Sequence, residues 1–148
     1  MVRIHKKEKK AKQKIRESFG KPKTEDFDFN AIRRYADRNN KESFQNLSEK
    51  VCDDLNFQDL FTYCDRTSSK IGQQCLYDRM RRIPHDRKQI EVLEKWITEF
   101  QKNEKLRIDI QYQLKNLNDD DTYYLCDLFQ SEQINPPKWL PVAYVLSF

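Results

Sequence analysis

Glycine is scarce in this chain, with two copies beside five prolines among 148 residues. Tight turns between strands favour glycine, because it adopts backbone angles that other residues avoid. A fold of many short strands is therefore disfavoured. Charged residues make up 35% of the chain and hydrophobic residues 37%, which is typical of amphipathic helices joined by polar loops around a lean core. We predict an all-α fold, an irregular helical bundle.

Charge is distributed unevenly along the chain. The formal net charge is +4, but residues 1–23 hold ten Lys/Arg against two acids, and the remaining residues hold more acids than bases. The last ten residues, WLPVAYVLSF, carry no charge. These shifts predict a basic arm (1–23), a helical domain (24–134) and an apolar C-terminal segment (135–148).

The basic arm contains the run VRIHKKEKKAKQKIRESF, which has few apolar residues. We expect a frayed helix or a disordered arm, ended by Gly20 and Pro22. Lysines bind the phosphates of DNA or of anionic lipid without choosing a sequence, and a solvated, uncommitted tail is the alternative. No aromatic residues separate the lysines, so stacking on single strands is not expected. The candidate phosphate contacts are Lys6, Lys7, Lys9, Lys10, Lys12 and Lys14.

Helices are predicted where a capping side chain precedes apolar residues at helical spacing. Asp28, Asn56 and Asp86 stand at such positions, and the helix after Asp86 is expected either to continue through Leu114 or to end and restart near Asn103. In the helix after Asn56, Phe57, Leu60 and Phe61 should share a face. The next helix, which Pro84 ends, should turn inward Ile71, Cys75, Leu76 and Met80. The helix after Asp86 should present an apolar stripe of Ile90, Leu93, Trp96, Ile97 and Phe100.

The sequence lacks the residues of a common catalytic or metal site. Two isolated glycines cannot build a phosphate-binding loop, and no Cys/His pair with an orienting acid stands out. The four cysteines and two histidines do not have zinc-ligand spacing. The acids at 119–121 could hold a hard metal ion, although acids also collect at helix N-termini. We therefore predict that this chain is not an enzyme and has no cofactor of its own.

Cysteine usage and the two chain ends bear on the compartment. Free and mostly buried cysteines, without a signal peptide, predict a reducing cytoplasm. The apolar run 139–148 could begin a membrane segment, preceded by Lys138, although a spanning helix needs about 20 residues. Packing of this run on the core is the alternative. The expected localisation is cytoplasmic, with a membrane tether in the first case.

The stretch LFTYCDRTSSKIGQQCLYDRM, residues 60–80, predicts a tight corner between two helices. Asp65 follows one helix, and Thr67, Ser68 or Ser69 can accept from the free N–H groups of the next. Arg66 can bridge helices through a nearby carboxylate. Gly72 lies one turn inside the second helix, where glycine costs about 1 kcal/mol against alanine, and this suggests close approach by another backbone.

This stretch resembles the start of the core domain of the MutS family of DNA mismatch-repair ATPases. That family shows a D-R-T-x-[ST]-x-x-G-x-R-x-L-x-x-W-L pattern there, and the resemblance extends over about residues 55–130. The usual arginine two residues after the glycine is Gln74 here, and the usual Trp-Leu is Arg79-Met80. The residues that match the pattern are Asp65, Arg66, Thr67, Ser69, Gly72 and Leu76.

The resemblance implies a divergent MutS-like protein and a non-catalytic role for this chain. In the family, this segment is a helical hub between the DNA-reading parts and the ATPase. The family's Phe-x-Glu mismatch reader and its Walker A loop are both missing here. ATP and magnesium would belong to an ATPase domain outside this chain, and dimerisation would use regions outside it as well. A helical protein-interaction or membrane-tethering module with no DNA role is the alternative.

Overall fold

The computed structural model describes residues 2–130, and the regular secondary structure of this part of the chain is helical except for one pair of very short strands. The predicted all-α fold is confirmed. Residues 131–148, which include the predicted apolar segment, lie outside the described residues. The elements are α1 (Val2–Ser18), α2 (Phe29–Arg38), β1 (Gln45–Asn46), α3 (Glu49–Asp54), α4 (Phe57–Cys64), α5 (Lys70–Arg81), β2 (Arg82–Ile83), α6 (Arg87–Lys102), α7 (Glu104–Leu114), 3-10 segments Lys115–Leu117 and Asp120–Tyr124, and α8 (Leu125–Gln130).

Polar caps begin the helices at three of the predicted positions. The carboxylates of Asp28 and Asp86 accept backbone N–H bonds in the first turns of α2 and α6, and the Asn103 amide oxygen does the same for α7. Asn56 also precedes a helix, α4, but its side chain makes no capping bond. Its backbone instead adopts the left-handed conformation, with φ of 47°, which asparagine tolerates better than most residues. The residue therefore forms the turn from α3 into α4.

An aromatic cluster forms the core where α2, α4 and α5 meet. Ile32 and Phe61 are fully buried. The Tyr77 ring packs edge-on against Phe57 and Phe61, with centroids 5.3 and 5.4 Å away. Full burial of one such apolar side chain stabilises a fold by about 1.5–3 kcal/mol. Leu60, expected to share a face of α4 with Phe57 and Phe61, is 45% exposed while those two are buried.

The buried face of α5 differs from the predicted one. Cys75 is exposed, and Leu76 and Met80 are only partly buried beside the core. The face that α5 does bury consists of Lys70, Gln73, Gln74, Tyr77 and Arg81. Buried polar side chains of this kind are stable only when they are hydrogen-bonded. Hydrophobic spacing therefore pointed to the wrong face, because the partners of these residues come from distant segments.

A two-residue antiparallel pair joins the end of α5 to the segment before α3, where no strand was predicted. Gln45 pairs with Ile83, and Asn46 pairs with Arg82. A residue before proline favours extended backbone, so Pro84 ends α5 and leaves Ile83 free to pair. Arg81 strengthens the junction by donating to the Leu47 carbonyl at 3.1 Å.

The basic segment forms a continuous helix, α1, that packs along α7. Lys12 Nζ lies 2.8 Å from an Asp109 carboxylate oxygen and 2.7 Å from Glu8 Oε1. The Arg107 guanidinium lies 3.7 Å from the centre of the Phe19 ring, just beyond the helix. The contacts with Asp109 and Arg107 come from α7, which the sequence did not pair with this segment. They explain why α1 differs from the expected frayed helix or disordered arm.

Candidate functional site

Asp65 lies at the corner between α4 and α5 and is fully buried. Its backbone N–H donates to the Phe61 carbonyl at 2.8 Å, which ends α4, and its own backbone is extended. The turn directs the carboxylate into the protein, where the side chain exposes none of its surface. A buried charge is costly unless it is paired and hydrogen-bonded.

Both oxygens of the Asp65 carboxylate are satisfied. Oδ1 accepts from the Thr67 backbone N–H at 2.8 Å and from the Thr67 hydroxyl at 2.7 Å. Oδ2 accepts from Gln73 Nε2 at 2.7 Å and from Lys23 Nζ at 2.9 Å. The carboxylate thus joins the segment before α2, the corner itself and α5 through four hydrogen bonds.

The pKa of Asp65 reflects a balance between burial and these bonds. Burial acts to raise the pKa, and the hydrogen bonds from Lys23 and Thr67 lower it by more. The result is a pKa below the ordinary aspartate value. Because all its acceptor positions face protein donors, this ionised group is a structural anchor and not a general acid or base.

Two glutamines extend the network from the corner to the 3-10 segment Asp120–Tyr124. Gln73, which is 1% exposed, accepts from the Tyr123 hydroxyl through its own side-chain oxygen. Gln74 Nε2 donates to the backbone carbonyls of Ala31 at 2.8 Å and Tyr123 at 3.1 Å. Gln74 stands where the MutS-like pattern has arginine, and here the amide clamps α2 and the 3-10 segment to α5.

Ser69 and Gly72 complete the start of α5. The Ser69 hydroxyl caps the helix by accepting from the Gly72 N–H at 3.1 Å, which confirms the predicted cap. A Cβ at position 72 would lie 2.9 Å from Ser69 Oγ and 3.4 Å from Thr67 Cβ. The close neighbours of Gly72 are the side chains of the cap and not another backbone, so the sequence-based explanation is wrong in this respect.

Arg66 has a different role from the predicted bridge between helices. Its Nη1 donates to the Asp65 backbone carbonyl at 2.8 Å, and its guanidinium lies 6.0 Å from the centre of the Tyr63 ring. Among the described residues it has no carboxylate partner. The cation that pairs with Asp65 is Lys23, which the sequence assigned to the basic arm. No local signal identifies Lys23, since it lies 42 positions away along the chain.

The candidate phosphate contacts on α1 divide into one engaged lysine and five free ones. Hydrogen bonds to Asp109 and Glu8 hold Lys12 and raise its pKa. The other five are exposed and make no ion pair with any described residue: Lys6, Lys7, Lys9, Lys10 and Lys14. Lys12 therefore docks α1 on the domain, while the others leave a basic outer surface.

Helix α6 presents an apolar surface to solvent, and none of its residues is buried. Trp96 is 54% exposed, and its ring stacks on Phe100 with centroids 5.7 Å apart. The predicted apolar stripe is thus present but does not face the core. Its other exposed members are Ile90, Leu93 and Ile97, together with Val92.

Within residues 2–130, no group of three or more His, Cys, Asp or Glu side chains is arranged to hold a metal ion. The acids at 119–121 lead into the 3-10 segment Asp120–Tyr124. All four cysteines are free, with Cys52 and Cys126 buried and Cys64 and Cys75 exposed. The same part of the chain contains no helix with the length and apolar character needed to cross a bilayer.

Comparison of the sequence with protein-family models and with curated proteins, and comparison with solved structures, gave no match.

Proposed function

We propose that this chain is a non-catalytic helical hub of a MutS-like DNA repair ATPase, which links DNA binding to an ATPase domain outside the chain. The observation that carries the proposal is the state of Asp65. The Asp-Arg-Thr residues of the MutS-like pattern form a corner whose carboxylate is fully buried and accepts four hydrogen bonds. A hub needs such a rigid junction, whereas a catalytic carboxylate needs access to substrate.

The basic surface of α1 supports the DNA side of the proposal. Five lysines project from a helix that Lys12 fixes to α7. DNA bound to a docked helix has a defined position relative to the domain, whereas DNA bound to a solvated tail does not. ATP and magnesium bind elsewhere in the full protein, on the ATPase domain, and this chain contacts that domain as a partner.

Titration of a short duplex DNA with the purified chain tests the DNA role. We expect binding whose affinity falls with salt concentration, since lysines release counterions from the phosphates. The variant K10Q/K14Q should bind more weakly, while K88Q/K95Q, which removes the same charge from α6, should bind as the wild type does. Equal weakening by both variants would show only a response to net charge. Absence of wild-type binding at low salt would contradict the DNA role.

The hub role is tested in the full-length protein by measuring ATP hydrolysis with and without DNA. Gln74→Met should reduce the effect of DNA on the ATPase rate while leaving the rate without DNA unchanged, because it loosens the junction and not the nucleotide site. Lys95→Gln serves as the control. If Gln74→Met lowers the free energy of unfolding but DNA changes its ATPase rate as much as that of the wild type, the hub role would be refuted.

A protein-interaction or membrane-tethering module without a DNA role is the second candidate function. The observation in its favour is the exposed apolar face of α6 around Trp96. Monomers seldom leave large apolar patches uncovered unless they bind something. The variant L93S/W96S should abolish association with a partner under this alternative, whereas DNA binding and its salt dependence should be unaffected under the first proposal.

A further inference from the structure

An open groove of about 620 Å³ lies where the end of α1, the segment after it and the corner before α5 meet the end of α7. Its walls include Ser18 on α1, Arg66 at the corner and Lys115 after α7. The groove is thus built from three regions that are far apart in the sequence.

Cations without carboxylate partners converge on this groove. Lys21, Arg66 and Lys115 all line it, and none forms an ion pair with a described residue. Lys23 also lines it but is held by Asp65 at 2.9 Å. Glu25, the acid in the wall, is engaged by Lys23 at 3.3 Å. The local charge that remains is positive, and three cations are available to a ligand.

The basic row of α1 leads into the same groove. Lys7, Lys10 and Lys14 share one side of the helix, because residues three, four and seven apart lie on one face. Ser18 continues this row by one more turn and lines the groove. With a rise of about 1.5 Å per residue, the row from Lys7 to Ser18 is about 16 Å long.

We propose that the row and the groove form one track for the phosphate backbone of duplex DNA, with Lys21, Arg66 and Lys115 binding phosphates in the groove. This inference rests on the DNA role proposed above and extends it from α1 to the Asp-Arg-Thr corner. Arg66 directly follows the buried Asp65, so a phosphate bound by Arg66 would bring DNA into contact with the corner itself.

The shape and chemistry of the groove favour a duplex backbone. A concave surface with cations on several walls fits a projecting ridge of phosphates better than a plane of lipid headgroups. Phe19 is the one aromatic side chain among the described residues that line the groove, and it is 55% exposed with the Arg107 guanidinium 3.7 Å from its ring centre. One ring does not provide the series of stacking platforms that single-strand binders use.

The salt dependence of duplex binding tests the track. Each phosphate contact contributes about 0.9 to the slope of log affinity against log salt, so K21Q/K115Q should reduce the slope by about 1.8. Both lysines are exposed, and neither side chain makes a bond to another described residue, so folding should be unaffected. K88Q/K95Q on α6 is the matched control and should retain the wild-type slope.

A second readout does not depend on variants. Acylation of lysines in the wild-type complex, followed by mass spectrometry, should show Lys21 and Lys115 protected by the duplex and Lys88 and Lys95 unprotected. Variants at Arg66 give a third readout. Arg66→Lys keeps the positive charge and should bind the duplex nearly as well as the wild type. Arg66→Gln removes one phosphate contact and should reduce the salt slope by about 0.9.

Each outcome separates the track from the broader DNA role. If K10Q/K14Q lowers the slope, K21Q/K115Q leaves it unchanged, and the duplex does not protect Lys21 and Lys115 of the wild type from acylation, the groove proposal is overturned and DNA binding by α1 stands. If the wild type does not bind the duplex at low salt, both fail. Binding to phosphatidylserine vesicles with no binding to the duplex would also overturn the track.

Discussion

Replacement of Asp65 by asparagine tests the corner with almost no change in shape. If the asparagine Oδ1 still accepts from Thr67, the new NH₂ group takes the place of Oδ2. It then faces the two donors whose hydrogen bonds Oδ2 accepts in the wild type. These are Gln73 Nε2 and Lys23 Nζ, at 2.7 and 2.9 Å from that oxygen in the wild type. Both donors would lose their acceptor inside the protein.

The expected loss of stability follows from the burial of these donors. A buried donor left without a partner costs about 1–3 kcal/mol, and Gln73 is 1% exposed. Lys23 has a 16% exposed side chain and retains Glu25 at 3.3 Å, so the cost of its lost hydrogen bond should lie at the lower end of this range. We expect Asp65→Asn to lower the free energy of unfolding by about 2–4 kcal/mol. Asp65→Ala should lower it by about 3–5 kcal/mol, as when one partner of a buried pair is removed.

Urea unfolding at neutral pH, followed by circular dichroism, measures this loss. Asp54→Asn, at an exposed acid that ends α3, is the control and should change stability by less than about 0.5 kcal/mol. A loss below about 1 kcal/mol for Asp65→Asn, with an unchanged denaturant dependence, would refute the claim that the carboxylate anchors the corner.

The same comparison should depend on pH in a defined direction. The folded pKa of Asp65 is below its ordinary value of 3.8, so the carboxylate stabilises the fold fully above that pH. Its contribution is lost as the pH falls from 3.8 through the lower folded pKa. The stability difference between the wild type and Asp65→Asn should therefore be constant near neutral pH and shrink in acid. A difference that grows in acid would contradict the assigned pKa direction.

Substitutions at Gly72, Gln74 and Phe19 test the other contacts, each by urea unfolding unless another measurement is named. Gly72→Ala should be neutral or destabilising alone but stabilising by up to about 1 kcal/mol in a Ser69→Ala background, where the 2.9 Å clash is gone; additive effects would exclude that clash. Gln74→Met should cost about 1–3 kcal/mol by leaving two carbonyls unpaired, and Gln74→Glu should cost more because it sets an acceptor against them. Phe19→Ala removes the contact with Arg107 and should speed amide hydrogen exchange in α1 but not in the other helices. Unchanged exchange in α1 would show that α1 docks without this contact.

The sequence predicted the parts of this fold that depend on local chemistry. Helix starts at Asp28 and Asp86 follow from capping by nearby side chains, and Ser69 is a cap of the same kind. Pro84 marks the end of α5 because it fixes its own backbone and restricts Ile83. These signals act over two to four residues, so they depend little on distant contacts, although at Asn56 a left-handed backbone takes the place of the side-chain cap.

Contacts between distant segments were not predictable in the same way. Lys23 pairs with Asp65, and Gln74 reaches Ala31, although nothing in their local sequence marks these partners. The inward face of α5 was mispredicted for this reason, since its buried glutamines look solvent-exposed by composition. In α6 the opposite occurred, because an apolar stripe around Trp96 predicts burial and the helix leaves it exposed.

Sequencing the native coding region beyond Phe148 bears most strongly on the identity of the proposed hub. A MutS-like hub predicts a later G-x-x-x-x-G-K-[ST] loop in the same reading frame, placed where an ATPase domain could follow the helical core. A reading frame that ends without such a loop would contradict the hub role, and the resemblance would then be limited to the helical corner around Asp65.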